Sequence, residues 1–435
     1  MKYYSTNHLA PLTTLRDAVI KGLAPDKGLY MPQSLPVMPP SFFEHIQDLS
    51  LSEIAGKVAT ALFGEDIPKE ELHHIAKDAL NFEIPVVHVN DNIYSLELFH
   101  GPTLAFKDVG ARFMARILAH FVRTSAKGHT INVLAATSGD TGSAVANGFL
   151  GVEGIHVYVL YPYGKVSPIQ EMQFTTLGQN ITAIAIDGTF DDCQALVKKA
   201  FTDETLNNRM KLTSANSINL ARLLPQTFYY FHAYAQMKRN GLDKKLRISV
   251  PSGNFGDLAA GLIALKMGLP VHSFIAANNR NDVFCRYLAT GKYHPSATIP
   301  TIANAMDVGA PSNFARILDL FGGSHDAIQT IVTGEAFDDN QILETINDVF
   351  HNHNYLLDPH GACAYAALHK ELHPDENGLF LETAHPAKFS EAIASVIGHR
   401  PQLPQRLHAF MDRKKQSIFM DNDFESFKCF LLNKA

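Results

Sequence analysis

Short apolar runs recur through the middle and end of the chain. They are INVLAA (131–136), IHVYVL (155–160), ITAIAI (181–186), LRISV (246–250), VHSFIAA (271–277) and GLFLE (378–382). Each gives way to polar and turn-forming residues. Segments such as SAVANGFL and DDCQALVKKAF follow two of them and carry a helical spacing of apolar positions. Buried strands alternating with helices imply βαβ units, so the fold class is α/β with mostly parallel sheets. Residues 1–85 differ. LTTLRDAVIKGL, LSEIAGKVATALFG and EELHHIAKDAL are helical patterns separated by Pro-rich loops such as PQSLPVMPPS. The pattern predicts an α-rich N-terminal region (1–85), a first α/β lobe (86–238) and a second (239–435). A helix over 217–238 is expected to join the two lobes, kinked at Pro225.

In open α/β sheets, ligands bind beyond the C-terminal ends of strands. Two loops at such ends are unusual: TSGDTGS (137–143) and PSGNFGD (251–257). Glycines let successive N–H groups converge on an anion, and the following helix adds its dipole. SGNFG is the better phosphate cradle. Neither loop matches GxxxxGK[ST] or GxGxxG, which speaks against an NTPase or a dinucleotide enzyme. Taken singly, either loop could serve only to turn the chain and cap a helix.

A third stretch, FHGPTLAFKDVG (99–110), places Lys107 in the elbow of a loop that feeds a helix. Asp108 reads as the N-cap, because Val109, Phe113, Met114, Ile117, Leu118, Phe121 and Val122 form one stripe. Arg112, Arg116 and His120 fall on another face. A cation at a helix start is disfavoured by the dipole. That placement would help lower the lysine pKa, as covalent amine chemistry requires.

Composition narrows the classes further. The chain has 435 residues, 46% apolar, with 37 basic and 43 acidic residues and a net charge of −6. No long basic run appears, so nucleic-acid binding is not expected. Four cysteines, Cys193, Cys285, Cys363 and Cys429, lie far apart with no CxxC. They suggest no disulfide framework or structural zinc, and a reducing compartment. His73, His74, His351 and His353 lack a metal-binding pattern such as HExxH, so no metal is expected. MKYYSTNHLAPL has no charged start followed by an apolar core, and no apolar run approaches ~18 residues. A cytoplasmic protein without a signal peptide or membrane span is expected.

ELFHGPTLAFKD, ATSGDTGSA, PSGNFGDL and TAHPAKF occur together and in order. In that combination the chain resembles the threonine synthase family of the longer bacterial and fungal type. That family lies within the fold type II, tryptophan synthase β-like enzymes that use pyridoxal 5′-phosphate. The resemblance covers essentially the whole chain. It implies two parallel-sheet α/β lobes, with Lys107 as the Schiff-base lysine and proton-transfer group. Gly253, Asn254, Phe255 and Gly256, flanked by Ser252 and Asp257, would hold the cofactor phosphate. Thr383 would meet the pyridine nitrogen. Ser138 and Thr141 would bind the substrate carboxylate. Asp140 stands where many relatives have Asn, and would touch the cofactor or orient the loop. The implied substrate is O-phospho-L-homoserine, converted with water to L-threonine and phosphate in a β,γ-replacement. Candidates for its phosphate are Lys165, Asn216, Ser217, Asn219, Arg222 and Arg112. A monomer or homodimer is expected.

Other readings remain open from the residues. A dehydratase or β-replacement enzyme of the same fold would keep Lys107 and SGNFG but need no second phosphate site. Lys165 and SANSIN (214–219) separate those cases. A non-catalytic metabolite-binding relative would not need Lys107.

Overall fold

A computed structural model describes residues 1–125 and 130–434. The chain forms two compact units, each assembled from stretches distant in sequence. The first unit contains Met1–Gln33, Lys107–Arg222 and the stretch from Leu403 onward. The second contains Ser34–Phe106 and Leu223–Gln402.

The first unit is built on a five-stranded sheet. Its order is Ser417–Asp421, Ile181–Asp187, Ile155–Pro162, Ile131–Ala136 and Lys211–Ser214. All neighbours are parallel. Every residue of Ile131–Ala136 is buried. That explains why the sequence shows a continuous apolar run there and no alternation.

The second unit carries six strands. Val332–Ala336, Ser273–Asn278, Lys245–Pro251, Glu376–Glu382 and Ile93–Glu97 are parallel neighbours in that order. Val86–Asn90 closes one edge antiparallel to Ile93–Glu97, through a tight turn at Asp91 with φ 44°. The six expected apolar runs are all strands. The structure adds the strands Val86–Asn90, Ile93–Glu97, Lys211–Ser214, Val332–Ala336 and Ser417–Asp421.

Residues 1–85 hold the helices Leu15–Lys21, Pro40–Glu44, Leu51–Phe63 and Lys69–Ala79. A small antiparallel ribbon, Tyr3–Ser5 with Tyr30–Pro32, accompanies them. Ser50 and Glu53 form a reciprocal capping box that starts Leu51–Phe63.

The helix expected over 217–238 is not continuous. It appears as Leu220–Leu223, a 3-10 turn Leu224–Gln226, and Thr227–Arg239. Pro225 lacks the N–H that an unbroken helix would need there. A second correction concerns Asp108. The helix is Lys107–Arg123, so Lys107 is its first residue and the buried Asp108 lies in its first turn.

Candidate active site

In the first unit, three neighbouring parallel strands end at one edge of the sheet. Ile131–Ala136 leads into the 137–143 loop, Ile155–Pro162 into Lys165, and Lys211–Ser214 into 215–222. The Thr137 hydroxyl folds the first of these loops. Its oxygen accepts from the N–H groups of Gly139 at 2.9 Å and Gly142 at 2.7 Å. Gly139 has φ 148° and caps the helix Asp140–Phe149. A Cβ there would lie 2.5 Å from Gln170 Oε1. Asp140 is 5% exposed, and its Oδ1 accepts from Gln170 Nε2 at 2.9 Å. Of the two roles considered for Asp140, this geometry supports orientation of the loop. Ser138 and Thr141 are half-buried, and among the described residues neither hydroxyl has a hydrogen-bond partner.

The 215–222 stretch divides the substrate candidates. Asn216 is half-buried and donates from Nδ2 to the Ala136 carbonyl at 3.3 Å, tying two strand ends together. Ser217 is half-buried beside it. Asn219 requires a correction. It is fully buried, and its Nδ2 faces the carbonyls of Val19 at 2.8 Å and Ser214 at 3.1 Å. Its Oδ1 accepts from Ala221 N–H at 3.0 Å, so the amide is a strut and not a ligand.

Arg222 is 2% exposed and donates from Nη1 to the Ala215 carbonyl at 2.6 Å, while its Nε is buried without a protein acceptor. Burial pulls the guanidinium down to about 10, and Asp108 pulls it back up. Gly110 makes room for it, since a Cβ there would stand 2.5 Å from the Arg222 carbonyl. Lys165 is exposed, after the left-handed Gly164 at φ 68°. Lys107 and Arg112 are half-buried on the helix Lys107–Arg123.

In the second unit, the adjacent parallel strands Lys245–Pro251 and Glu376–Glu382 deliver the SGNFG loop and Thr383 from their C-terminal ends. Phe255 adopts φ 57° and caps the helix Gly256–Lys266. A bulky residue in that region is costly and marks a loop held for a purpose. Its ring is buried against Phe284, with centroids 4.7 Å apart. Asn254 is clamped from outside. Its Oδ1 accepts from Ser312 N–H at 2.6 Å, and its carbonyl accepts from Asn313 Nδ2 at 3.0 Å. Behind these, the fully buried Arg316 donates to Asn313 Oδ1 at 2.6 Å. Among the described residues, the N–H groups of Gly253, Phe255 and Gly256 donate to no protein acceptor. Open amides at a helix start fit a phosphate.

Two flanking residues depart from expectation. Ser252 donates its hydroxyl to the Val250 carbonyl at 2.8 Å, which engages it within the protein. The Asp257 carboxylate is engaged by side chains of the helix Thr227–Arg239. It accepts from the phenols of Tyr229 at 2.5 Å and Tyr230 at 2.8 Å. Thr383 is 6% exposed, and among the described residues its hydroxyl has no protein partner. Gln170, Asn313 and Arg316 escaped the sequence reading because they support loops distant from them in sequence, whereas Thr137 lies inside the loop it folds.

Family models add an independent line of evidence. Residues 2–80 match the threonine synthase N terminus, 83–383 a pyridoxal-phosphate dependent enzyme, and 361–431 the threonine synthase C-terminal region. Threonine synthase of Haemophilus influenzae is 44% identical over 432 residues, covering 99% of this chain and 100% of that protein. The chain belongs to the threonine synthase family. The crystal structure of threonine synthase from Escherichia coli superposes with TM-score 0.93 at 43% identity, covering all of both chains. Pyridoxal-phosphate-bound threonine synthase from Brucella melitensis gives TM-score 0.92 at 34% identity, covering 100% and 99% of the two chains. Threonine synthases are pyridoxal-phosphate enzymes of fold type II, and this chain shares that cofactor and fold.

Proposed function

We propose that this chain makes L-threonine and phosphate from O-phospho-L-homoserine and water with the residues assigned here. The observation that carries the site assignment is the SGNFG loop, with open amides at a helix start and the Asp257 carboxylate held by Tyr229 and Tyr230. Bound pyridoxal phosphate supplies the electron sink for carbanion chemistry at Cα and Cβ. Gly253, Asn254, Phe255 and Gly256 hold its phosphate through backbone N–H groups. Thr383 offers a neutral hydroxyl to the pyridine nitrogen, where a carboxylate would keep that nitrogen protonated. Lys107 would hold the cofactor through its amine and, when that amine is free, would take protons at Cα and Cβ and return them at Cγ and Cα. Ser138 and Thr141 hold the substrate carboxylate with loop amides. Arg222, Lys165, Asn216, Ser217 and Arg112 supply charge and donors for the substrate phosphate. That phosphate leaves from Cγ, a proton returns to Cγ, and water adds at Cβ.

The reading extends to a cytoplasmic enzyme, monomeric or homodimeric, that takes no nucleic acid. The acidic balance and lack of a basic run support the last point. The test is to incubate the purified protein with pyridoxal phosphate and O-phospho-L-homoserine, with Lys107→Ala alongside. Equal phosphate and threonine, and a visible cofactor band lost in the variant, are expected. A band without phosphate release overturns the substrate assignment, and serine and threonine become the substrates to try.

A further inference from the structure

Three ionisable side chains lie buried in the second unit and have no part in the chemistry above. Asp358 and Glu382 are fully buried, and His360 is 1% exposed. They form one connected chain. Asp358 caps the helix Pro359–Glu371, and its Oδ1 accepts from the His360 backbone N–H at 2.8 Å and from the His360 ring Nδ1. The His360 Nε2 accepts from the Ala305 backbone N–H at 3.2 Å. That bond fixes the tautomer, with the ring proton on Nδ1 facing Asp358. The Asp358 N–H reaches Glu382 Oε2 at 3.4 Å, and Asp358 Oδ2 accepts from the Ala384 N–H at 3.4 Å.

The two ends of this chain matter. Glu382 and Ala384 are the residues on either side of Thr383, so Asp358 meets the Glu382 side chain on one flank of that threonine and the Ala384 backbone on the other. At the other end, Ala305 and Met306 form the wall against which Gly253 rests. A Cβ on Gly253 would meet Met306 Cα at 2.7 Å and the Ala305 carbonyl at 2.8 Å. Gly361 lets the helix approach Glu382, because a Cβ there would lie 2.3 Å from Glu382 Oε1. Glu382 is pushed well above the carboxylate range, by burial first and then by the Asp358 charge. Burial acts to raise Asp358 as well, but the adjoining His360 holds it low. The buried Asp358 carboxylate accepts from the His360 backbone, the His360 ring and the Ala384 backbone, which suits a rigid strut.

We propose that Glu382, Asp358 and His360 are positioning residues that fix the spacing between Thr383 and the Gly253 loop, and so match the site to a pyridine ring carrying a phosphate arm. The proposal rests on the assignment of Thr383 and 252–257 given above. The two halves of the strut act on different parts of the ligand. Loss of the Ala305 link loosens only the phosphate side, and loss of the Asp358 grip loosens both.

His360→Asn keeps a donor toward Asp358 but cannot reach Ala305. His360→Gln keeps an acceptor for Ala305. Apo forms of both, and of Asp358→Asn, would be titrated with pyridoxal phosphate and with pyridoxal, following the visible spectrum, with thermal midpoints measured beside them. For His360→Asn, the dissociation constant for pyridoxal phosphate rises about tenfold, as for one unsatisfied buried donor, while that for pyridoxal stays within about twofold. His360→Gln recovers most of the loss. If both variants bind both ligands within about twofold of the parent, the chain is ordinary core and the proposal fails. Equal weakening of both ligands by His360→Asn also overturns it. Should Asp358→Asn not fold, the histidine pair alone decides. Failure of the parent itself to bind pyridoxal phosphate would point instead to the site assignment.

Discussion

The backbone N–H of Phe106 donates to the carbonyl of Thr383 at 2.9 Å, and the next residue in the chain is Lys107. An isolated bridge between Ala105 and Ala384 continues the pairing. The lysine elbow thus starts from a backbone anchored to the threonine expected at the pyridine nitrogen. Because the anchor is main chain, Thr383→Val keeps it and removes only the hydroxyl. The variant is expected to fold with an unchanged melting point and to lose about tenfold in kcat, the worth of one buried hydrogen bond. Steady-state kinetics beside a thermal melt checks this, and an unchanged kcat would remove Thr383 from the site.

Gly139 meets two obstacles to a side chain: φ 148° and the amide of Gln170 2.5 Å from a would-be Cβ. The second could be relieved by rotating Gln170, but the first could not. Gly139→Ala is therefore expected to cost roughly 1–3 kcal/mol and most of the activity. Adding Gln170→Ala should not restore either. Recovery in the double variant would show that crowding, and not backbone conformation, selects glycine.

Asp257 separates stability from activity. Asp257→Ala leaves the fully buried Tyr229 phenol without its acceptor, while the Tyr230 phenol keeps the backbone carbonyl of residue 257 at 3.0 Å. A loss of roughly 1–3 kcal/mol in denaturant unfolding is expected. Activity per folded molecule should stay within about twofold, because the carboxylate is held by the tyrosine phenols. A large fall in kcat at full folding would place that carboxylate in the site.

His232 gives the stability a pH dependence. Burial, and then Arg239, pull it from its ordinary 6.5 down to about 4. The unfolded chain therefore binds a proton that the folded chain refuses between those values. Stability falls as pH drops from about 6.5 to about 4, by up to about 3 kcal/mol from this residue. His232→Gln should flatten that limb in urea titrations at several pH values. An unchanged slope would assign the acid sensitivity elsewhere.

The parts of the fold visible in the sequence are those buried on both faces. Ile131–Ala136 and Glu376–Glu382 read as strands because every position is covered. Val332–Ala336 and Ser417–Asp421 lie at sheet edges, are partly exposed, and carry no such run. The site divides in the same way. Gly-rich loops and an elbow lysine are local signals, legible from residue type and spacing. Whether a side chain faces the loop or its support depends on distant partners. Asn219, Asp257 and Ser252 all sit beside recognisable motifs, yet turn toward Val19, Tyr229 and Val250. The strut through Asp358 and His360 left no mark in the sequence for the same reason.

The sheet of the first unit has a consequence for synthesis. Ile181–Asp187 pairs on one side with Ser417–Asp421, which emerges long after it. At about 5–20 residues per second, that edge waits roughly 10–50 s for its partner, an interval in which an unpaired strand can capture another chain. The nascent chain is thus vulnerable at this edge, and a ribosome that stalls before residue 417 leaves it open.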